Sequence, residues 1–220
     1  MSTGEFWDQL TPTEQGALEK AGRRRDFQRG AVIFREAETT DWVAVLRSGR
    51  VKVSVDTANG TEVVLAVRGP GVLLGEFAAI DGEPRSATVT AIDPVSAIAV
   101  PLAAFEGFLQ ANGRVSLLLM RTLIAKMRDA DRKRIEFGAH DTIGRVAARL
   151  VEMAERFGQP SAEGTKIGLP FTQDELAGWT GASREAVSKA LGVLRTAGEI
   201  RTSRMAVVVR DLEALRRRTE

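Results

Sequence analysis

The chain has 220 residues, 44% hydrophobic and 27% charged, with 31 Lys/Arg against 29 Asp/Glu, the make-up of a globular protein of one or two domains. It has no cysteine and a single histidine, His140, which excludes disulfides, cysteine-held zinc or iron–sulfur clusters and the usual multi-histidine metal sites. No apolar run approaches the roughly 18 residues of a membrane span, and the start Met1-Ser-Thr-Gly-Glu-Phe-Trp7 lacks the charged head and apolar centre of a signal peptide, so a cytoplasmic protein without a membrane partner is expected.

Thr11-Pro12-Thr13-Glu14 signals a helix start: Thr11 can cap, Pro12 fits the first turn and Glu14 closes a capping box. That helix should end near Ala21, with Leu18 and the earlier Phe6, Trp7 and Leu10 as apolar contacts. From Phe27 to Val100 the hydrophobic period changes to two. Ala31–Phe34, Trp42–Leu46, Val51–Val55, Glu62–Val67, Ala87–Ile92 and Ser96–Val100 read as short strands, separated by turn signals such as Ser48-Gly49 and Asn59-Gly60. Some eight strands at this spacing predict a jelly roll or barrel.

Between the strands lies a run dense in chemistry, Leu73 to Val89. Gly75 permits close backbone approach, Glu76 can accept from a sugar hydroxyl, and Arg85 offers a planar fork suited to phosphate oxygens. Ser86 adds a hydroxyl, and its neighbours add N–H groups that can form an anion nest. Taken alone, these residues fit an ordinary Gly-Glu loop and a surface arginine equally well. A helical turn around Phe77–Ile80 should interrupt the sheet.

Pro101 opens a short helix with Phe105, Phe108 and Leu109 inward, and Asn112 can cap the longest helix, from Gly113 to about Phe137. Ser116, Met120, Leu123, Met127, Ala130, Arg134 and Phe137 follow the alternating spacing of a coiled-coil seam, while Leu117, Leu118, Leu119 and Ile124 are expected to face the sheet. Two apolar faces imply two partners, the sheet and a second copy of the chain. Gly138-Ala139-His140-Asp141 reads as a hinge, His140 as a solvated linker residue, and Asp141 as the cap of a helix burying Ile143, Val146, Leu150 and Met153. Gly158–Gly164 reads as a loop.

Thr172-Gln-Asp-Glu175 is a second capping box, opening a helix that ends near Gly181. Ser183 caps another, Arg184–Arg195, and helix, tight glycine turn, helix is the geometry of a helix-turn-helix. Arg201–Val209 should form a hairpin wing. Residues 1–140 carry 18 basic and 18 acidic side chains, whereas Arg184–Arg218 carries nine basic and four acidic, a local polyanion-binding signal. A solvated charged tail accounts equally well for Arg216–Arg218.

Gly75-Glu76, eight residues, then Arg85-Ser86-Ala87-Thr88-Val89 resembles the phosphate-binding cassette of cyclic-nucleotide-binding domains. Ser183-Arg-Glu-Ala-Val-Ser-Lys-Ala-Leu191 is similar to the recognition helix of the cyclic AMP receptor protein family of bacterial transcription regulators. The resemblance runs from about Phe27 to about Arg210. It implies an α+β chain: a cyclic-nucleotide-binding β jelly roll over 1–111, a dimerisation helix and hinge over 112–138, and a winged helix-turn-helix over 139–220. It further implies an effector pocket at Gly75, Glu76, Phe77, Arg85, Ser86 and Ala87, with Glu76 on the ribose hydroxyl and Arg85 on the cyclic phosphate. By the same resemblance Asp131 stands beside the nucleotide base, where strict cyclic AMP responders carry a small polar residue. Asp131 can equally face solvent or pair with Arg128 or Arg134.

DNA contacts are implied at Thr172, Ser183, Arg184, Glu185, Ser188 and Lys189. Arg184 suits guanine and Glu185 suits cytosine, while Lys189 replaces an arginine and cannot make its two-point contact. The expected partners are double-stranded DNA with an inverted repeat, a cyclic nucleotide (cyclic AMP, with cyclic GMP as the variant choice), a second copy and RNA polymerase. The alternative is the same fold with a vestigial pocket, binding DNA constitutively or answering a partner protein. No nucleophile–base pair or metal cluster accompanies Glu76 and Arg85, so neither an enzyme nor a prosthetic group is expected.

Overall fold

The computed structural model describes residues 5–168, 172–203 and 206–219. Contacts divide the chain into two compact units, Met1–Val55 with Leu65–Asp129, and Asp56–Val64 with Ala130–Glu220.

In the first unit a 3-10 turn, Trp7–Gln9, leads into helix α1, Pro12–Ala21, whose Thr11–Glu14 capping box forms as the sequence predicts. Eight strands follow or interleave, all within the first unit except Asp56 of β4 and residues 62–64 of β5: β1 Arg23–Phe27, β2 Val32–Phe34, β3 Trp42–Ser48, β4 Val51–Asp56, β5 Glu62–Arg68, β6 Leu73–Leu74, β7 Thr88–Ala91 and β8 Val95–Pro101. They make two four-stranded sheets, ordered β1-β8-β3-β6 and β2-β7-β4-β5. β3 shows why. Its Val43 and Val45 join Leu73, Ile98 and Val100 in a core against the helices, whereas Ala44 and Leu46 join Phe34, Val51, Val89 and Ala97 between the sheets. A strand buried on both faces reads as a continuous apolar run, as Trp42–Leu46 does.

Helix α2, Glu76–Asp81, occupies the predicted interruption. Helix α3, Leu102–Ala111, buries Phe105 and Phe108, and the 27-residue helix α4, Gly113–Ala139, follows. Asn112 starts the α4 ladder through its carbonyl, while its side-chain amide donates back to Phe108 O at 2.8 Å. The α4 face differs from the expected one. Val115, Leu118 and Leu119 are buried and Leu123 packs beside them, but Leu117 and Ile124 are exposed together with Met120 and Met127. The apolar run 117–120 fits either register; the sheet contacts choose one, and the free stripe becomes 117, 120, 124, 127. Ser116 leaves the seam altogether and donates to Leu109 O at 2.8 Å.

The second unit contains α5 Thr142–Phe157, β9 Gln159–Ser161, β10 Gly164–Gly168, α6 Gln173–Thr180, α7 Arg184–Thr196, β11 Ile200–Ser203, β12 Ala206–Val209 and α8 Leu212–Arg217. Its sheet is ordered β11-β12-β10-β9, so most of the segment read as a loop, Gly158–Gly164, is strand. Arg204 and Met205, at the expected wing turn, lie outside the described residues. α5 packs on α6, α7 and α8 with Val146, Leu150 and Met153 fully buried and Ile143 half-buried.

Candidate functional site

Gly75 leaves β6 at φ +82°, a backbone region costly for any residue with a Cβ, and it caps α2. A Cβ there would also come within 2.5 Å of Arg85 Nη1, so the glycine makes room for the guanidinium. Glu76, first in α2, is 4% exposed and accepts from Lys126 Nζ of α4, which also donates to Leu73 O at 3.3 Å. Phe77 is exposed, with its ring 5.9 Å from the same ammonium.

Arg85 is 5% exposed. Its Nε donates to Thr40 Oγ1 at 2.8 Å and its Nη1 to Gly75 O at 2.7 Å, while Nη2 donates to Thr40 Oγ1 and Trp42 O. Four of the guanidinium's five N–H groups are thus engaged, leaving one on Nη1. The guanidinium lies 4.1 Å from the Phe34 ring centre; Phe34 sits 4.4 Å from Trp42, and Arg25 lies 4.7 Å beyond that indole. Every hydrogen-bond acceptor of Arg85 is neutral. Burial pushes its pKa down, and the Glu76 carboxylate only partly offsets that.

Lys126 already pairs with Glu76, so the cluster Arg85, Lys126 and Glu76 carries one uncompensated positive charge. A buried charge without a contacting counter-ion is costly, and an anion would relieve it. Ser86 is exposed beside it, and its hydroxyl and the N–H groups of Ser86 and Ala87 donate to no atom among the described residues. These are free donors facing the same need.

Asp131 belongs to the second unit, is exposed, and lies 3.7 Å from Arg134 Nη2. The helical-spacing pair with Arg134 is therefore present.

In the helix-turn-helix, Thr172 and Ser183 cap α6 and α7 through their hydroxyls. Gly181 turns the chain at φ +59°, where a Cβ would overlap the Phe137 ring. Val187, Ala190 and Leu194 are buried under α7, which leaves Arg184, Glu185, Ser188 and Lys189 on its outer face beside Gln173. The backbone N–H of Glu185 itself, the Ser183 hydroxyl and Arg184 hold the Glu185 carboxyl below its ordinary value. Arg184 Nη1 lies 3.8 Å from Asp174, an exposed and weak tether. A second groove, between these helices and the wing strands, is lined by Thr172, Ser188, Arg195, Thr202 and Ser203.

Much of the C-terminal basic surplus is paired with carboxylates of the same chain, most of it at the surface. Arg218 forks onto Glu199, Arg216 pairs with Glu155 and Glu213, and Arg201 and Arg210 share Glu163. Among the described residues, Arg184, Lys189 and Arg195 remain as cations on α7. Thr40 and Lys126, the closest polar partners of Arg85 and Glu76, went unnoticed in the sequence; both lie 45 to 50 residues from their partners and no local pattern marks them.

The chain matches the cyclic nucleotide-binding domain over residues 24–112 and the Crp-like helix-turn-helix domain over residues 144–218. It is 33% identical over 209 residues to a Mycobacterium tuberculosis protein named CRP-like cAMP-activated global transcriptional regulator, covering 95% of this chain and 93% of that one. It is 27% identical over 206 residues to the cyclic AMP receptor protein of Thermus thermophilus, covering 94% and 92% respectively. The crystal structure of a CRP-family transcriptional regulator from Thermus thermophilus superposes with a TM-score of 0.76 at 26% identity, over 89% of this chain and 96% of that one.

Proposed function

Because the chain belongs to the CRP family of transcription regulators, joining a cyclic nucleotide-binding domain to a Crp-like helix-turn-helix, we propose that it is a homodimer gated by a cyclic nucleotide. Cyclic AMP is the first choice of effector and cyclic GMP the second. The observation that carries the reading is the buried Arg85, surrounded by neutral acceptors and edged by the free donors of Ser86 and Ala87. A cyclic phosphate supplies the missing charge, and Glu76 accepts from a ribose hydroxyl in this reading. Gly75, Phe77 and Asp131 complete the proposed contacts, Asp131 at the base.

On the DNA side, Arg184, Glu185, Ser188 and Lys189 read base edges in the major groove, and Thr172 and Ser183 hold phosphates at helix starts. The exposed stripe Leu117, Met120, Ile124 and Met127 is the proposed seam between two copies. Two-fold symmetry then asks for an inverted repeat with half-sites about 34 Å apart. The organisation is a sensor over 1–111, a dimerisation helix and hinge over 112–138 and a DNA-reading domain over 139–220. The protein works in the cytoplasm, meets RNA polymerase at promoters and catalyses no reaction. Linkage requires the nucleotide to bind the DNA-competent state more tightly than the other.

A second reading has an observation in its favour. Glu76 is already paired with Lys126, and four Arg85 donors are already used by the chain itself, as in a pocket that no longer takes a ligand. Titrating an inverted-repeat duplex with and without cyclic AMP or cyclic GMP separates the two. A DNA affinity that rises with nucleotide supports gating; one indifferent to both nucleotides favours the vestigial pocket.

A further inference from the structure

Arginine side chains are long, and an unheld guanidinium loses conformational entropy when it grips a ligand. The plane of Arg85 is fixed by groups of the chain itself, and the segment that fixes it is remote in sequence. Residues 37–40 approach from the loop ahead of β3: Arg85 N donates to Glu38 O at 2.9 Å and Ala37 N to Arg85 O at 2.8 Å. Thr40 then covers the Nε–Nη2 edge of the fork, receiving from both nitrogens. The other anchors are the carbonyls of Gly75 and Trp42 and the Phe34 ring face. Among the hydrogen-bonding anchors, Thr40 alone is a side chain.

A hydroxyl accepts two hydrogen bonds and donates one. With both acceptor positions turned to Arg85, the Thr40 hydrogen points away from the guanidinium, and the remaining Nη1 N–H keeps a defined direction. We propose that Thr40 is a positioning residue of the anion pocket, holding the Arg85 fork edge-on so that its free N–H and the Ser86–Ala87 donors converge on one anionic group. This rests on the reading of the pocket as a cyclic-nucleotide site. It assigns a role to a residue outside the cassette, and it makes affinity depend on a hydroxyl some 45 residues away in sequence.

The test uses the full chain with Thr40→Val, Thr40→Ala and Thr40→Ser. Calorimetric titration with cyclic AMP and cyclic GMP is paired with 15N NMR of the arginine Nε–H groups without nucleotide, the Arg85 signal being assigned by its absence in Arg85→Lys. Thr40→Val and Thr40→Ala are expected to weaken binding about tenfold or more, the loss of a hydrogen bond to a charged group, while Thr40→Ser stays near the parent value. The Arg85 Nε–H signal should be sharp in the parent and Thr40→Ser and broadened by exchange in the other two. Binding by Thr40→Val and Thr40→Ala as tight as the parent, or tighter, overturns the proposal, tighter binding showing that the hydroxyl competes for the ligand's place. If the parent binds neither nucleotide, the cyclic-nucleotide reading fails by itself. The Nε–H comparison then decides the role of Thr40 alone, and an unchanged signal overturns it.

Discussion

Arg85 is held by hydroxyl and carbonyl oxygens, with no carboxylate among its hydrogen-bond partners. Replacing it with alanine removes the cation that an anionic ligand would meet, so the rise in melting temperature given by cyclic nucleotide should vanish in Arg85→Ala. The melting temperature without nucleotide should move far less. A ligand-induced shift that survives, read by scanning calorimetry, places the anion elsewhere. Glu14 offers a second residue-scale test, unconnected with the pocket. A hydrogen bond from Arg114, then those from Thr11, hold its carboxyl at about 2, down from 4.5. Because the folded value lies below the unfolded one, its contribution is present above pH 4.5 and is lost as pH falls toward 2. Glu14→Gln should therefore flatten the fall in stability across that window and leave the curve above it parallel, as measured by urea unfolding at stepped pH. Both glutamates that close capping boxes, Glu14 and Glu175, were legible from three-residue spacing alone. Thr40 and Lys126 were not, because a partner supplied by a distant strand or helix leaves no trace in local order.

At the scale of elements, the joint between α4 and α5 is braced by one buried cation. Arg149, 5% exposed, donates to Glu136 of α4 and at 2.9 Å to Glu152 of α5, and lies 5.8 Å from the Trp179 ring of α6. Lys133 adds a 3.5 Å contact to Glu152. Arg149→Met keeps an apolar stem but strands the Glu136 carboxylate, while Glu152 keeps Lys133 and Arg156, and should cost on the order of 1–3 kcal/mol. A lower urea midpoint at unchanged slope would report it; an unchanged midpoint would mean the joint is held by packing alone. Elements of this kind differ in how plainly the sequence announces them. The alternating runs of β4 and β5 and the capped helices α1, α6 and α7 were readable because side-chain period and cap chemistry are local. Strand β1, Arg23-Arg-Arg-Asp-Phe27, carries no apolar alternation and exists because β8 offers it an edge. Strand β10 likewise depends on β12, and β9 on β10. The face of α4 was misread for a related reason: four consecutive apolar residues at 117–120 satisfy more than one helical register until the sheet selects one.

For the whole molecule, the reading as a dimer rests on that selected face. Ile124, 49% exposed, sits in the middle of the stripe and outside the buried cores of its own chain. Ile124→Asp should therefore leave the unfolding temperature of dilute protein nearly unchanged while shifting sedimentation from dimer to monomer and weakening affinity for an inverted repeat. A variant that still sediments as a dimer would move the seam to another surface. The column running from Arg85 through Phe34 and Trp42 to Arg25 bears on how such a molecule can be watched. The chain has three tryptophans and no tyrosine, so its ultraviolet emission comes from three places only. Trp7 lies 3.8 Å from the Arg47 guanidinium, Trp42 is one ring removed from Arg85, and Trp179 is buried in α6. Single replacements by phenylalanine would leave lamps in the N-terminal turn, the pocket wall and the DNA-reading helices, and their separate brightness and colour would time the passage of a signal through the protein without a label.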